Sequence, residues 1–99
     1  MAVRLARQDA PGGTGVEERL RSQGLLGRSW ANRPGERYGW HAHPYDKVLF
    51  CIHGSVVFHT RHGDYALAAG DRLDIDAGVE HAATVGPDGV RCVEASREP

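Results

Sequence analysis

The pattern of apolar and polar residues changes at Leu25. From there to the C-terminus, short apolar or alternating segments are separated by glycine, proline and aspartate. Segments of this kind predict β-strands joined by tight turns. We expect strands over residues 28–32, 37–43, 47–53, 55–61, 64–68, 72–75, 80–85 and 90–95. About eight short strands in so small a unit predict an all-β fold, a small antiparallel β-barrel or jelly roll.

The segment before Leu25 has a different pattern. Its first residues end in a Pro-Gly-Gly turn and predict a flexible tail. Thr14 is a candidate helix N-cap, with Glu17 three residues later to complete a capping box. Gly24 would end that short helix in the left-handed conformation. The expected parts of the chain are a flexible N-terminal tail over 1–13, a short helix over 14–24 and a β-barrel over 25–99.

Composition excludes several classes of protein. A chain of 99 residues corresponds to one domain. Its formal net charge of −1 gives no general attraction to nucleic acid or to an anionic membrane surface. No apolar run approaches the ~20 residues of a membrane span, and no apolar signal-peptide core is present. We therefore expect a cytoplasmic protein in which Cys51 and Cys92 stay reduced.

Histidines supply the candidate chemistry. His41 and His43 are two residues apart, so on an extended strand both imidazoles would leave the same face. His81 opens a later strand, after a glycine-containing turn. If the sheet curls, the three imidazoles can meet around a divalent transition metal such as zinc, iron, nickel, copper or manganese, with positions left open for water or substrate. The alternative is a polar pocket without metal.

Two glycine-bounded segments containing these histidines resemble the two motifs of the cupin superfamily. The first family motif has glycine, five residues, His-x-His, three or four residues, glutamate, six residues and glycine. The second has glycine, five residues, Pro-x-Gly, two residues, histidine, three residues and asparagine. The matching residues are Gly35, His41, His43 and Gly54 in the first motif, and Gly70, Gly78 and His81 in the second. The chain departs from the pattern at Lys47 for the glutamate, Asp76 for the proline and Val85 for the asparagine.

The resemblance implies a six- to eight-stranded antiparallel barrel that commonly forms homodimers. It also implies a metal held by His41, His43 and His81, but a lysine occupies the position of the fourth family ligand. An inward, charged Lys47 would repel a dication by several kcal/mol at ~5 Å and an effective dielectric constant near 20. Lys47 could instead turn outward, lose its proton, or pair with Asp46 or Asp74.

Further residues are candidates for the pocket. Leu49 and Cys51 share the parity of His43 and could line it, although core packing is the alternative for both. His59 could project into the barrel or lie at the surface. Glu94 on the last strand is a candidate general base. Two aromatic residues, Tyr38 and Trp40, are expected to face away from the pocket.

Three functions remain open from the sequence. The first is a metal-dependent enzyme, of dioxygenase or isomerase type, acting on a small polar molecule. The second is a metal-free module that binds or senses a small anionic ligand, with Lys47 as its fixed cation. The third is a dimerisation domain with a vestigial pocket. The fold alone does not choose among them.

Overall fold

The computed structural model describes residues 2–97. Seven strands account for most of this range, together with one 3-10 turn at Pro11–Gly13 and one helix. The helix, α1, is Val16–Ser22. The strands are β1 Val3–Ala6, β2 Arg28–Asn32, β3 Arg37–His41, β4 Asp46–Thr60, β5 Gly63–Ala68, β6 Arg72–Ile75 and β7 His81–Arg97. All strand pairings among them are antiparallel. None of the helices in this part of the chain is long and apolar enough to cross a membrane.

Two long strands organise the fold. β4 and β7 pair along almost their whole length, with register shifts near Gly54. The first half of β4 also pairs with β6 and the second half with β5, while the two halves of β7 pair with β3 and β2 in turn. One sheet therefore contains β1, β6, β2 and one half of each long strand, and the facing sheet contains β3, β5 and the other halves. This arrangement is an antiparallel jelly-roll barrel, as the strand pattern predicts.

The unbroken apolar run of β4 has a simple explanation, because both of its faces are covered. Leu49 and Cys51 pack in the barrel interior. Val48 and Phe50 alternate with them and pack on the outer face, under Leu20 of α1. Each of these five residues is nearly or wholly inaccessible to solvent. The helix thus seals the sheet whose other face forms part of the barrel interior.

The flexible tail predicted over residues 1–13 is wrong for the described part of that segment. Val3–Ala6 form β1, which pairs with β6 in the register Val3↔Ile75 to Ala6↔Arg72. Val3 is buried in the interior cluster, so the strand covers the edge of β6 and gains apolar burial at the same time. A four-residue edge strand carries too short a pattern to be recognised without its partner. Met1 lies outside the described residues.

The predicted helix forms, but over fewer residues and with a different start. Gly15 occupies the N-cap in the left-handed conformation and no side chain caps the helix, so the Thr14 capping box is wrong. Val16 and Leu20 are buried as one apolar stripe. Gly24 has a φ of 76° after the helix end, as expected for a left-handed terminus.

Two predicted breaks are bends within continuous strands. Residues 47–53 and 55–61 join in β4, and residues 80–85 and 90–95 join in β7. Gly54 has a φ of 76°, and a Cβ there would collide with the carbonyl oxygen of Gly89 on the paired strand. Glycine therefore permits the close crossing at which the two long strands bend from one sheet into the other.

Candidate metal centre

The three histidines of the two motifs lie together at one end of the barrel. His41 ends β3 and pairs directly with His81, the first residue of β7. His43 follows two residues after the end of β3. The three ring centroids are separated by between 4.4 and 5.2 Å. One ligand nitrogen from each residue lies within 4.8 Å of the others.

Backbone contacts between the two motif segments hold His43 in this group. The amide nitrogen of Gly78 donates to the carbonyl oxygen of His43 at 2.8 Å. The amide nitrogen of Ala77 donates to Oδ1 of Asp46 at 2.8 Å. The turn before β7 is therefore fastened to the loop between β3 and β4, which explains why both glycine-bounded segments are needed to build one site. The ring of His43 also stacks on Tyr45, with centroids 4.9 Å apart.

Backbone carbonyl groups select the tautomer of two of the rings. Nδ1 of His81 lies 2.9 Å from the carbonyl oxygen of Val79, and Nδ1 of His41 lies 2.8 Å from that of Gly39. A carbonyl can only accept, so in the neutral ring each Nδ1 carries the proton and each Nε2 keeps a lone pair. Such outer hydrogen bonds are the usual way in which ligand histidines are oriented.

Burial keeps two of the imidazoles in the neutral form that a metal requires. Burial lowers the pKa of His81 below its ordinary value, and the nearby His41, Lys47 and His43 lower it further, against the opposing carbonyl of Val79. Burial is also the main reason for the lowered pKa of His43, followed by the charge of Lys47. Neutral imidazole is the ligand form, so these two lowered pKa values favour metal binding by His43 and His81.

The site fits a transition metal ion. Nε2 of His43 and Nε2 of His81 are buried and have no hydrogen-bond partner among the described residues. Orphaned buried nitrogens are costly and call for a partner. Three ligands at the Zn–N distance of about 2.0–2.1 Å would stand roughly 3.4 Å apart. The three ligand nitrogens lie within 4.8 Å of one another, so to hold the ion they would have to approach each other by up to about 1.4 Å.

A cavity of about 180 Å³ adjoins the three histidines. Its walls come from the two facing sheets. One wall carries the aromatic and imidazole side chains of β3, β4 and β7, and the other carries a lysine, a glutamate and a tryptophan. The lining residues are Tyr38, His41, Phe58, His81 and Ala83 on the first wall, and Trp30, Lys47 and Glu94 on the second.

Lys47 points inward and pairs with a carboxylate that the sequence did not assign to it. Its Nζ lies 3.1 Å from Oε1 of Glu94, and the two side chains are only 11% and 24% exposed. Oε1 of Glu94 also accepts a hydrogen bond of 2.6 Å from Nε1 of Trp30. A carboxylate is thus present beside the histidines, but on β7 rather than at the motif position, and it is bound to a cation.

The partners predicted for Lys47 were wrong for reasons of strand parity. Asp74 pairs in register with Val48, so it belongs to the outer face, where it binds Arg72 at 2.7 Å. Asp46 precedes Lys47 by one residue and instead caps the turn before β7. The alternative of an outward Lys47 is wrong as well, because the residue retains the inward parity of Leu49.

The other pocket candidates divide into two groups. Leu49 and Cys51 face the barrel interior but are fully buried in its apolar cluster and do not line the cavity. His59 lies outside the cavity, because Phe58 takes the inward position next to it. The ring of His59 contacts Oδ1 of Asp64 and Oγ1 of Thr84, both at 2.9 Å.

One aromatic residue was assigned to the wrong face. Tyr38 was expected to point away from the pocket, but a register shift between Tyr38 and His41 brings both to the cavity wall. Trp40 does face away and is 45% exposed, with the guanidinium of Arg61 over its ring. No signal in the sequence marks Trp30 or Phe58 as cavity residues, because cross-strand register alone brings them there.

Comparison with known proteins agrees with this geometry. The family model described as a cupin domain matches residues 30–94, and the chain therefore belongs to the cupin family. No curated protein matches the chain.

Several solved structures share the fold. A conserved protein of unknown function from Streptococcus pyogenes is 20% identical, with a TM-score of 0.67 over 76% of this chain and 65% of its own. A structure of the DMSP lyases RdDddP and RnDddQII is 29% identical, with a TM-score of 0.69 over 76% of this chain and 39% of that one. A cupin-2 domain protein from Shewanella frigidimarina is 20% identical, with a TM-score of 0.64 over 75% and 71%. The chain thus spans less than two thirds of the length of the first two.

Proposed function

We propose that this cupin binds a divalent transition metal through His41, His43 and His81 and presents it to a small polar molecule in the adjoining cavity. The observation that carries the proposal is the pair of buried, unpartnered Nε2 atoms of His43 and His81 beside a third imidazole. Nothing else among the described residues satisfies them. Three protein ligands would leave coordination positions open toward the cavity.

The protein residues have separate tasks in this proposal. A bound metal would supply Lewis-acid polarisation of a ligand oxygen. The carbonyl groups of Gly39 and Val79 fix two ligand tautomers, and aromatic side chains line the cavity beside them. In this proposal Glu94 accepts a proton from a bound molecule, which its position in the lining of the same cavity supports. A DMSP lyase among the similar structures supports an enzymatic role, while the substrate of this chain is a separate question.

The test is elemental analysis of protein purified without a histidine tag. We expect close to one equivalent of a transition metal per chain in the wild type and in His59→Ala. His43→Ala should lose it, because His43 lies in the cluster and His59 does not. Circular dichroism of both variants checks that each is folded. Equal metal content in the two variants would remove the proposal.

A second candidate function is a metal-free module that binds a small anion, and the buried Lys47 favours it. A cation in a cavity wall attracts an anion whether or not a metal is present. A rise in melting temperature with small anions that persists in chelator would support this function. A rise that requires added metal would support the metal-dependent one.

Two further expectations stay predictions. A homodimer is implied by the family resemblance, and light scattering at several protein concentrations would test it. Fractionation of cells that express the protein would test the cytoplasmic location.

A further inference from the structure

Lys47 is the only lysine in the chain, and the other eleven cationic side chains counted with it are arginines. It is also the one cationic residue among the cavity lining, and it is only 9% exposed. A lysine is costly to bury, because its ammonium group is strongly hydrated. Its place in the wall opposite the histidines therefore points to a role in the cavity.

The ammonium group of Lys47 has donors to spare. It carries three hydrogens, and its one described partner is Oε1 of Glu94 at 3.1 Å. Two donors are left for a molecule in the cavity. Nε1 of Trp30 cannot accept them because it carries a hydrogen and donates to Glu94, and no described residue other than Glu94 is bonded to Nζ of Lys47.

Glu94 offers the complementary group. Both of its described contacts, from Lys47 and from Trp30, use Oε1. Oε2 has no hydrogen bond from any of the residues that the structure describes, so it can accept one from a ligand. A donor pair and an acceptor thus stand side by side on one cavity wall, and both can be engaged without breaking the ion pair.

Size and charge limit the molecule that can use this pair. A cavity of about 180 Å³ is smaller than the roughly 300–1,000 Å³ of sites for drug-sized ligands, so it suits a small molecule. The unused N–H groups of Lys47 form stronger hydrogen bonds to an ionised acceptor than to a neutral one, and a cationic ligand would face any metal at the histidines. An anionic group is favoured.

We infer that the cavity binds a small carboxylate that carries a hydrogen-bond donor on the carbon next to the carboxylate group. The carboxylate accepts from Lys47, and the donor, a hydroxyl in the simplest case, binds Oε2 of Glu94. The two ligand groups must be close together, because Nζ lies 3.1 Å from Oε1 and the acceptor Oε2 belongs to the same carboxylate. This inference rests on the proposed use of the cavity for a small polar molecule and names its class.

The single lysine makes a direct test possible. In uniformly 15N-labelled protein the side-chain ammonium region contains one lysine signal, that of Lys47. Lactate, propionate and lactamide are titrated in chelator at constant ionic strength. We expect lactate to shift the Nζ signal and to bind about tenfold more tightly than propionate, since a hydrogen bond to a charged group is lost in propionate. Lactamide, which lacks the negative charge, should leave the signal in place.

Variants separate the two halves of the inference. Lys47→Met should abolish the rise in melting temperature caused by lactate and by propionate. Glu94→Gln should make lactate and propionate bind about equally. Arg91→Met removes an exposed cation on the same strand as Glu94 and should behave as wild type. If Lys47→Met does not fold, the wild-type Nζ titration still decides.

Each opposite result overturns the inference. These results are an Nζ signal that lactate does not move, equal binding of lactamide, or an undiminished response in folded Lys47→Met. Binding of lactate only after metal is added would assign it to the histidines, which refutes this inference and leaves the metal proposal intact. Conversely, absence of metal in the elemental analysis leaves the titration in chelator unaffected.

Discussion

Removing either member of the Lys47–Glu94 pair should lower the free energy of unfolding. Removing both should lower it by less than the sum of the two single decreases. At 3.1 Å and an effective dielectric constant near 20, two unit charges attract by about 5 kcal/mol, most of which offsets their desolvation. Breaking a fully buried pair typically costs ~3–5 kcal/mol. Glu94 is 24% exposed and keeps its bond to Trp30, so we expect Lys47→Met to lower the free energy of unfolding by only about 2 kcal/mol.

Glu94→Gln should cost a similar amount, about 2 kcal/mol, because it leaves an ammonium group of a side chain that is only 11% exposed without its counter-charge. The double variant leaves no unpaired charge in the cavity. Its free energy of unfolding should therefore decrease by roughly 2 kcal/mol less than the two single decreases added together.

Urea unfolding of the metal-free protein in chelator, followed by circular dichroism, measures all four free energies of unfolding. The cycle is valid only if the m-value is unchanged among the variants. Single losses that add to within about 0.5 kcal/mol in the double variant would show that the two side chains do not interact. The wall assigned to ligand binding would then lack its defining contact.

Three further predictions concern the bend, the histidines and the metal. Gly54→Ala should lower the free energy of unfolding by at least ~3 kcal/mol, because Gly54 has a positive φ and a Cβ there collides with Gly89. Urea unfolding measures this decrease. The control Gly39→Ala, where a Cβ meets no neighbouring atom, should leave the free energy of unfolding almost unchanged. The lowered pKa values of His43 and His81 mean that the unfolded chain binds protons first as the pH falls. The stability of metal-free protein should therefore decrease as the pH falls through about 6.5, and a slope unchanged in His43→Gln would contradict this. Zinc at about 100 times its dissociation constant should stabilise the wild type by ~2.7 kcal/mol and His81→Ala hardly at all, as followed by thermal unfolding.

The fold was predictable because its signals are local. Glycine and proline mark most of the turns and bends between apolar segments, and β2 and β6 have the predicted limits. The histidine cluster was predictable because the spacing of its members within the two motifs can be read from the sequence without knowing how the strands pair. β1 was missed because four residues at a sheet edge acquire their identity only from pairing with β6.

The cavity wall could not be predicted in the same way. Trp30 and Glu94 reach Lys47 through the register of β2 and β4 on β7, which no local pattern encodes. Tyr38 turned inward because of an irregularity in β3 that regular alternation cannot foresee. Glu94 was a candidate from its residue type, but its pairing with Lys47 depends on a diagonal contact between two strands that are distant in sequence.

The shared use of β4 and β7 by both sheets has a consequence for how this protein can change. Lys47 and Phe58 stand on opposite cavity walls, yet they belong to one continuous strand. Glu94 and His81 are related in the same way along β7. The angle at which these strands bend near Gly54 therefore contributes to the width of the cavity. A change in this bend, by evolution or by design, would alter which molecules fit while the chemical groups on the two walls stay as they are.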